Sequence, residues 1–334
     1  MSDKNTQAPL LDIRDLSIRF NTDSGVVHAV NHLNLSLQKG KALGFVGETG
    51  AGKTTTALAI LHLIQSPPGE ITSGEILFEG QDILRMTEAE RRDIRGNKIA
   101  MIFQDPMTSL NPIMTVEDQI MEVVSLHTDA KGEELRNRAH EMLQMVGIRP
   151  ERGKEFPDQF SGGMRQRVGI AIALACRPTL LIADEPTTAL DVTIQAQVID
   201  LIKHLQKMVE TSLLLITHDL GIVAEICDEV AIMYAGRVVE YSDLRQLYTK
   251  PMHPYTQGLF NAVPRLDSEP GGRLAVIQGL TPDPTDLPEG CSFSPRCPYV
   301  QDICRQEALG LKEYEPGHFV DCHFPLGMNG GLGA

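Results

Sequence analysis

Apolar and polar residues alternate with period two in Leu11-Asp12-Ile13-Arg14, Leu16-Ser17-Ile18-Arg19-Phe20 and Leu33-Asn34-Leu35-Ser36-Leu37. That pattern predicts short strands with one buried face. Uninterrupted apolar runs follow at Ala42–Val46, Ile99–Phe103, Leu180–Ala183, Leu213–Ile216 and Val230–Met233, the signature of strands buried on both faces. Gly74–Gly80 reads as a strand ending in a turn, after a break at Ser66-Pro67-Pro68-Gly69. Helical periodicity covers Thr55–Leu61, about 162–176 and about 193–209. A stretch over 117–148 with few strand formers predicts a helical insertion, inside a helical subdomain at about 105–165. Strands alternating with helices predict an α/β fold with a mainly parallel sheet covered on both faces. Near residue 245 the pattern changes to many prolines and little periodicity, so the chain divides into residues 1–245 and a small irregular C-terminal region, 246–334.

The 334 residues are 42% hydrophobic and 22% charged, ordinary for a globular protein, with a formal net charge of -14. No basic stripe accompanies that acidity, which argues against nucleic acid as a partner. The N-terminal residues are polar, with no apolar core of a secretory leader after them. The longest apolar run, Val168–Cys176, is about half of the roughly 20 residues that a membrane span needs. The expected location is therefore cytoplasmic, with any membrane role exercised through partners.

Between the run Ala42–Val46 and the helix at Thr55 stands Gly47-Glu48-Thr49-Gly50-Ala51-Gly52-Lys53-Thr54, a complete phosphate-binding loop in strand–loop–helix context. Its glycines let backbone N–H groups turn towards a phosphate at a helix N-terminus. Lys53 adds a point charge for the β- and γ-phosphates, and the Thr54 hydroxyl can ligate Mg²⁺. The chain is expected to bind a nucleoside triphosphate through residues 47–54 and Thr55. Leu180–Ala183 then runs into Asp184 and Glu185: the first is placed to hold Mg²⁺, the second to polarise an attacking water as general base. Upstream, Phe160-Ser161-Gly162-Gly163-Met164-Arg165-Gln166-Arg167 opens the helix at 162, with Ser161 as its N-cap and two glycines that leave backbone N–H groups uncovered.

With these motifs in this order, the chain resembles the ATP-binding cassette (ABC) ATPases, whose signature motif also lies shortly before the second acidic motif. Phe160 and Met164 depart from the family's usual Leu and Gln, while the core Ser161-Gly162-Gly163 is intact. The resemblance implies a RecA-like core with an antiparallel β subdomain and a helical insertion. It makes Gln104 the Q-loop glutamine that senses Mg²⁺ and water, Asp191 of Ala189-Leu190-Asp191 the D-loop residue, and His218 the switch histidine at the γ-phosphate. Phe20 becomes the aromatic stacked on adenine. Mg²⁺ would be held through Thr54, Gln104 and Asp184. Catalysis would rest on Glu185, His218 and Gln104, with Ser161, Gly162, Gly163 and Met164 completing a partner's ATP site across a dimer.

Cys291, Cys297, Cys304 and Cys322 are spaced C-x5-C-x6-C-x17-C. A cytoplasmic chain disfavours disulfides, which leaves a metal site or unrelated thiols. Structural zinc normally uses a C-x2-C knuckle, absent here. Cys₄ ligation of a [4Fe–4S] cluster tolerates wider spacing. The surrounding His253-Pro254-Tyr255-Thr256 and Gly290-Cys291-Ser292-Phe293-Ser294-Pro295-Arg296-Cys297-Pro298 resemble the C-terminal extension of oligopeptide/dipeptide importer ATPases, some members of which carry such a cluster. A [4Fe–4S] cluster is therefore the expected occupant, with Zn²⁺ or no metal as the alternatives. His318 and His323 are near enough to compete as ligands but are read first as solvated surface histidines, and Cys176 and Cys227 as core thiols.

The resemblance implies a peripheral ATPase at the cytoplasmic face of the inner membrane. It would pair with a second ABC ATPase, identical or homologous, with two transmembrane permeases and, indirectly, with an extracytoplasmic substrate-binding protein. Peptide is the expected cargo. Nickel and α-galactoside importers use ATPases of the same extended type, and a non-transport ABC ATPase or a redox sensor built on the cysteines are rivals of other classes.

Overall fold

The alternating N-terminal segments fold into long antiparallel strands, and the apolar runs into short buried ones. The structure is a computed structural model that describes residues 8–105, 109–188, 190–263 and 276–328. In chain order the elements are β1 (Leu11–Thr22), β2 (Gly25–Leu37), β3 (Ala42–Val46), α1 (Lys53–Ile60), β4 (Gly69–Phe78), β5 (Gln81–Asp82), α2 (Glu88–Ile94), β6 (Ile99–Ile102), α3 (Val116–His127), α4 (Glu133–Met145) and α5 (Gly162–Leu174). They continue with β7 (Leu180–Asp184), α6 (Val192–Val209), β8 (Ser212–Thr217), α7 (Leu220–Ile226), β9 (Glu229–Tyr234), β10 (Arg237–Asp243), α8 (Leu244–Thr249), α9 (Pro254–Ala262), α10 (Asp302–Gln306), β11 (Lys312–Glu315) and β12 (His318–Val320). Two compact units result: one of residues 37–42 and 82–217 with the first residues, the other of 11–36, 43–81 and 218–334.

In the first unit β6, β7 and β8 form a parallel ladder, with Ile99 opposite Leu180 and Leu180 opposite Ser212. Every residue of β7 and β8 is buried, which is why both read as continuous apolar runs rather than alternating ones. Helix α5 turns Val168, Ile170, Ala171 and Leu174 into the core, each large aliphatic side chain contributing about 1.5–3 kcal/mol. The expected helical insertion is α3 and α4. Thr115 caps α3 by accepting from the Asp118 N–H at 3.2 Å. The two helices are tied together by Glu117, buried on α3, which accepts from Arg136 Nε at 2.9 Å and lies 3.0 Å from His140 Nε2.

In the second unit β1 pairs antiparallel with β4, Leu11 opposite Phe78 and Phe20 opposite Gly69. The two short strands expected at 11–14 and 16–20 are one strand with an irregular register between Arg14 and Ile18. Strand β3 pairs parallel with β9, and β9 turns back antiparallel as β10 through Ala235 (φ 46°) and Gly236 (φ 82°), the left-handed pair that a tight hairpin needs. The parallel expectation thus holds for β6–β8 and for β3 with β9, and fails at β10.

The residues beyond 245 are more regular than their sequence suggests. Strand β12 pairs antiparallel with β10, Glu240 opposite Val320, and β11 pairs with β12. Glu240 is fully buried. Its carboxylate accepts from the Met252 N–H at 2.7 Å and the His253 N–H at 2.9 Å, and lies 2.7 Å from His318 Nε2. His318, expected in solvent, is therefore buried, because β12 brings it onto the Glu240 carboxylate. Met252 and Tyr255 are likewise inaccessible. His253 accepts from the Tyr255 N–H through Nδ1 at 3.0 Å, and burial holds its imidazole down at about 4.

Candidate nucleotide-binding and hydrolysis site

The sequence-predicted residues fall into two sets, one in each unit, and each has its own geometry. The phosphate-loop set begins where the buried strand β3 ends. A Cβ on Gly47 would meet the Met233 carbonyl oxygen at 2.2 Å, and one on Gly52 the Ala29 oxygen at 2.3 Å. Gly52 also lies at φ 103° as the N-cap of α1, so both positions admit only glycine. The loop is buttressed from the β9–β10 turn, where the Gly236 N–H donates to Ala51 O at 2.9 Å. Lys53 is buried, and its Nζ donates to the carbonyls of Gly47 at 2.7 Å and Glu48 at 2.9 Å. Its ammonium thus sits inside the curl of the loop. Thr49, Gly50 and Thr54 are exposed and Thr55 is half-buried, while α1 directs its first N–H groups and positive dipole end at the same place. Phe20 is half-buried over Gly69, whose added Cβ would come within 2.9 Å of its ring. His218 is exposed between β8 and α7, followed by Asp219, whose Oδ1 caps α7 by accepting from Gly221 N at 2.7 Å.

The acidic set is gathered at the ends of β6 and β7. Asp184 closes β7 at 2% exposure. Glu185 follows in the left-handed region at φ 44°, a conformation that costs a non-glycine residue of order 1–3 kcal/mol and that collects at functional sites. Its N–H donates to Ile216 O at 2.8 Å, which holds the strained residue against β8. The Glu185 carboxylate accepts from Gln104 Nε2 at 3.0 Å and from Thr188 Oγ1 at 2.9 Å. The glutamine and the acid, 81 residues apart, are thus brought into direct contact. Residues 106–108 and Ala189, part of the segments that flank Gln104 and Asp191, lie outside the described residues.

Ser161 caps α5 as expected, its Oγ accepting from the Met164 N–H at 3.4 Å. Ser161 and Gly162 are exposed, with Gly163 and Met164 half-buried beside them. A Cβ on Gly163 would meet Ile194 Cγ2 at 2.6 Å, so the second signature glycine lets α5 pack against the start of α6. That start is capped by Asp191, which accepts from Ile194 N at 3.0 Å. The oxygens of Thr54, Gln104 and Asp184 are hard donors, the chemistry that suits Mg²⁺.

Cys291, Cys297, Cys304 and Cys322 line one cavity of about 20 Å³, together with Phe293, Tyr299, His323 and Phe324. The Cys291 N–H donates to Cys304 O at 2.8 Å, and Gly290 permits that approach, since a Cβ there would lie 2.4 Å from the same oxygen. All six cysteines are free thiols. Burial pushes the Cys291 thiol up to about 11 and Cys322 to about 12, and raises Cys297. Four convergent thiols are a donor set for a soft metal centre, while the space between them holds about one water. Among the described residues no group of three or more His, Cys, Asp or Glu stands ready around a single ion. His323 turns to the Glu307 carbonyl at 3.0 Å. Cys227 is buried as expected of a core thiol, whereas Cys176 is only half-buried.

Sequence reasoning assigned no role to Tyr255, Tyr234 or Arg296, yet all three reach the phosphate loop. The Tyr255 hydroxyl accepts from the Glu48 N–H at 3.2 Å. Arg296 Nη1 donates to the Glu48 carboxylate at 3.0 Å and to the Tyr234 hydroxyl at 3.3 Å. No periodicity or local motif could announce contacts that span 207 and 248 positions.

Comparison with known proteins agrees with this geometry. The ABC transporter family matches residues 30–188, and the C-terminal region of oligopeptide/dipeptide transporters matches residues 239–304. The oligopeptide transport ATP-binding protein OppD of Salmonella typhimurium is 49% identical over 98% of both chains. The dipeptide transport ATP-binding protein DppD of Escherichia coli is 47% identical over 95% of this chain and 97% of its own. Among solved structures, the dimeric post-hydrolysis state of the ATP-binding cassette MJ0796, bound to ADP and Pi, superposes with a TM-score of 0.64 at 27% identity, covering 70% of this chain and 99% of that one. With nearly full-length identity of this order and both family regions in place, the chain belongs to the ATP-binding proteins of the oligopeptide/dipeptide ABC transporter family.

Proposed function

We propose that the chain is the ATP-hydrolysing motor subunit of a peptide ABC importer. The observation that carries the hydrolytic part is the 3.0 Å contact of Gln104 with a strained Glu185 at the end of β7. The peptide cargo is supported by relatives named for oligopeptide and dipeptide transport. In this reading the N–H groups of residues 47–55 and Lys53 bind the phosphates, Phe20 stacks on adenine and His218 contacts the γ-phosphate. Glu185 takes a proton from the attacking water, and Gln104 orients both the acid and that water. Mg²⁺, which neutralises charge on the transferring phosphoryl group, would be held by Thr54, Gln104 and Asp184. Ser161, Gly162, Gly163 and Met164 would close over ATP bound to a second ATPase, with Asp191 at the interface.

Two permeases and an extracytoplasmic binding protein would complete the machine at the inner membrane. Among the described residues no helix is long and apolar enough to cross a bilayer, so translocation would depend on those partners. Residues 1–245 are assigned as the ATPase domain and 246–334 as the family's extension. For the extension, the number and spacing of the four cysteines and the family resemblance favour a [4Fe–4S] cluster, with Zn²⁺ as the alternative. Uptake of a labelled tripeptide by cells lacking the chromosomal subunit, complemented with this chain, tests the cargo; nickel or galactoside uptake restored in its place would overturn it. Iron near four per chain in anaerobic protein, lost in Cys291→Ser, is the result expected for the cluster.

A further inference from the structure

We propose that Arg296 of the C-terminal extension is a positioning residue for ATP binding, which neutralises and fixes the Glu48 carboxylate at the phosphate loop. The inference rests on the reading of residues 47–54 as that loop. A carboxylate is an awkward neighbour for a polyphosphate, because like charges at close range repel. Glu48 cannot stand far from the phosphates. Its own carbonyl and that of Gly47 both accept from Lys53 Nζ, so it borders the space into which the loop's ammonium projects.

Arg296 answers that charge from a distant part of the sequence. Its side chain is only 6% exposed, against 28% for Glu48. Its Nη1 lies 3.0 and 3.3 Å from the two carboxylate oxygens. The guanidinium is itself held on every side. Nε donates to Gln278 O at 3.2 Å, Nη2 to Ile277 O at 3.3 Å and Nη1 to the Tyr234 hydroxyl, while Cζ stands 5.8 Å from the centre of the Tyr234 ring. Burial works against its charge, and the hydrogen bonds to Glu48 and Tyr234 more than offset that, leaving it raised.

The base of this arm is rigid. Tyr234, Tyr255 and Phe293 pack with ring centroids 4.6–5.4 Å apart, a close aromatic cluster. Tyr255 from the same cluster holds the Glu48 N–H. Side chain and backbone of one loop residue are thus both gripped by the extension. Phe293 and Arg296 lie between Cys291 and Cys297, so the segment that grips the loop is the one that lines the cysteine cavity.

The test is MgATP affinity by equilibrium binding and the KM and kcat of ATP hydrolysis, in Arg296→Met, Arg296→Lys, Glu48→Gln and the double variant Arg296→Met/Glu48→Gln. Arg296→Met is expected to weaken ATP about tenfold through KM, with kcat changed much less, because it bares the carboxylate. Arg296→Lys keeps the charge and recovers most of that loss. Glu48→Gln leaves the cation in excess and tightens ATP a few-fold. The double variant returns towards wild type, since neither charge remains. A double variant as weak as Arg296→Met, or an Arg296→Met protein with unchanged KM, overturns the proposal: the first outcome makes the arm mere packing, the second makes it irrelevant. Lys53→Ala measured alongside distinguishes failure of the loop reading, in which case it would bind ATP as wild type does.

Discussion

Replacing Glu240 by alanine is the sharpest test of how the extension is held. The change leaves the Met252 and His253 N–H groups without their acceptor, and His318 without the carboxylate 2.7 Å away, all at positions that solvent does not reach. An orphaned buried donor costs about 1–3 kcal/mol, and a hydrogen bond to a charged acceptor lies at the upper end of that range. Because the donors overlap in these sums, about 4 kcal/mol is the expected loss. At about 2–4 °C per kcal/mol for a chain of this class, Tm should fall by about 10 °C. Differential scanning calorimetry measures that fall, and limited proteolysis locates it, with new cleavage after residue 245 preceding loss of the ATPase core. Glu240→Gln, which keeps one acceptor oxygen, should lie between. A Tm within about 2 °C of wild type for Glu240→Ala would refute the reasoning, for it would mean that water or a shifted backbone satisfies all three donors.

Other consequences can be measured in the same preparations. Glu185→Gln should lower the ATP hydrolysis rate by about 10²–10⁴-fold, the range of general-base catalysis, while retaining ATP in equilibrium binding; loss of binding instead would make Glu185 a ligand rather than a base. The buried His253 is held at about 4 from an ordinary 6.5, so the unfolded chain binds the extra proton and stability falls as pH drops from 6.5 towards 4. That amounts to about 3 kcal/mol; His253→Asn, which retains a side-chain acceptor for Tyr255 N, should flatten this part of the pH–Tm curve, and an unchanged slope would discount the shift. Gly52→Ala places a Cβ 2.3 Å from Ala29 O at φ 103° and should abolish ATP retention on a filter assay, whereas wild-type binding would show that the loop relaxes freely.

How much of this was readable from sequence depended on range. The phosphate loop, the Ser161 cap and the acid at the end of β7 are local, each written in fewer than ten consecutive residues. Buried parallel strands announced themselves through the unbroken apolar runs Leu180–Ala183 in β7 and Leu213–Ile216 in β8. The family resemblance named Gln104, but the Gln104–Glu185 contact was not foreseen, since nothing at either residue specifies the other. Glu240 was opaque: in Val238-Val239-Glu240-Tyr241 a charged residue reads as the solvent face of a strand, and only the return of Met252, His253 and His318 makes it buried. His318 was misjudged for the same reason. The prolines past 245 hid order because the region is fixed by long-range contacts rather than by its own periodicity.

The pairing of β12 with β10 has a consequence for how the sheet ends. Without β12, β10 would be an open sheet edge with unpaired N–H and C=O groups, and Glu240 at its centre would lack its histidine. Such an edge can recruit a strand from another molecule. Glu240 makes that recruitment costly, since a foreign strand would bury its carboxylate one partner short, and the chain's own strand brings the histidine that supplies it. What finally faces outward is β11, four residues long and containing Lys312, Glu313 and Glu315, too short and too charged to be extended. The β11–β12 hairpin thus covers the edge that β10 would otherwise present and replaces it with one that resists further pairing.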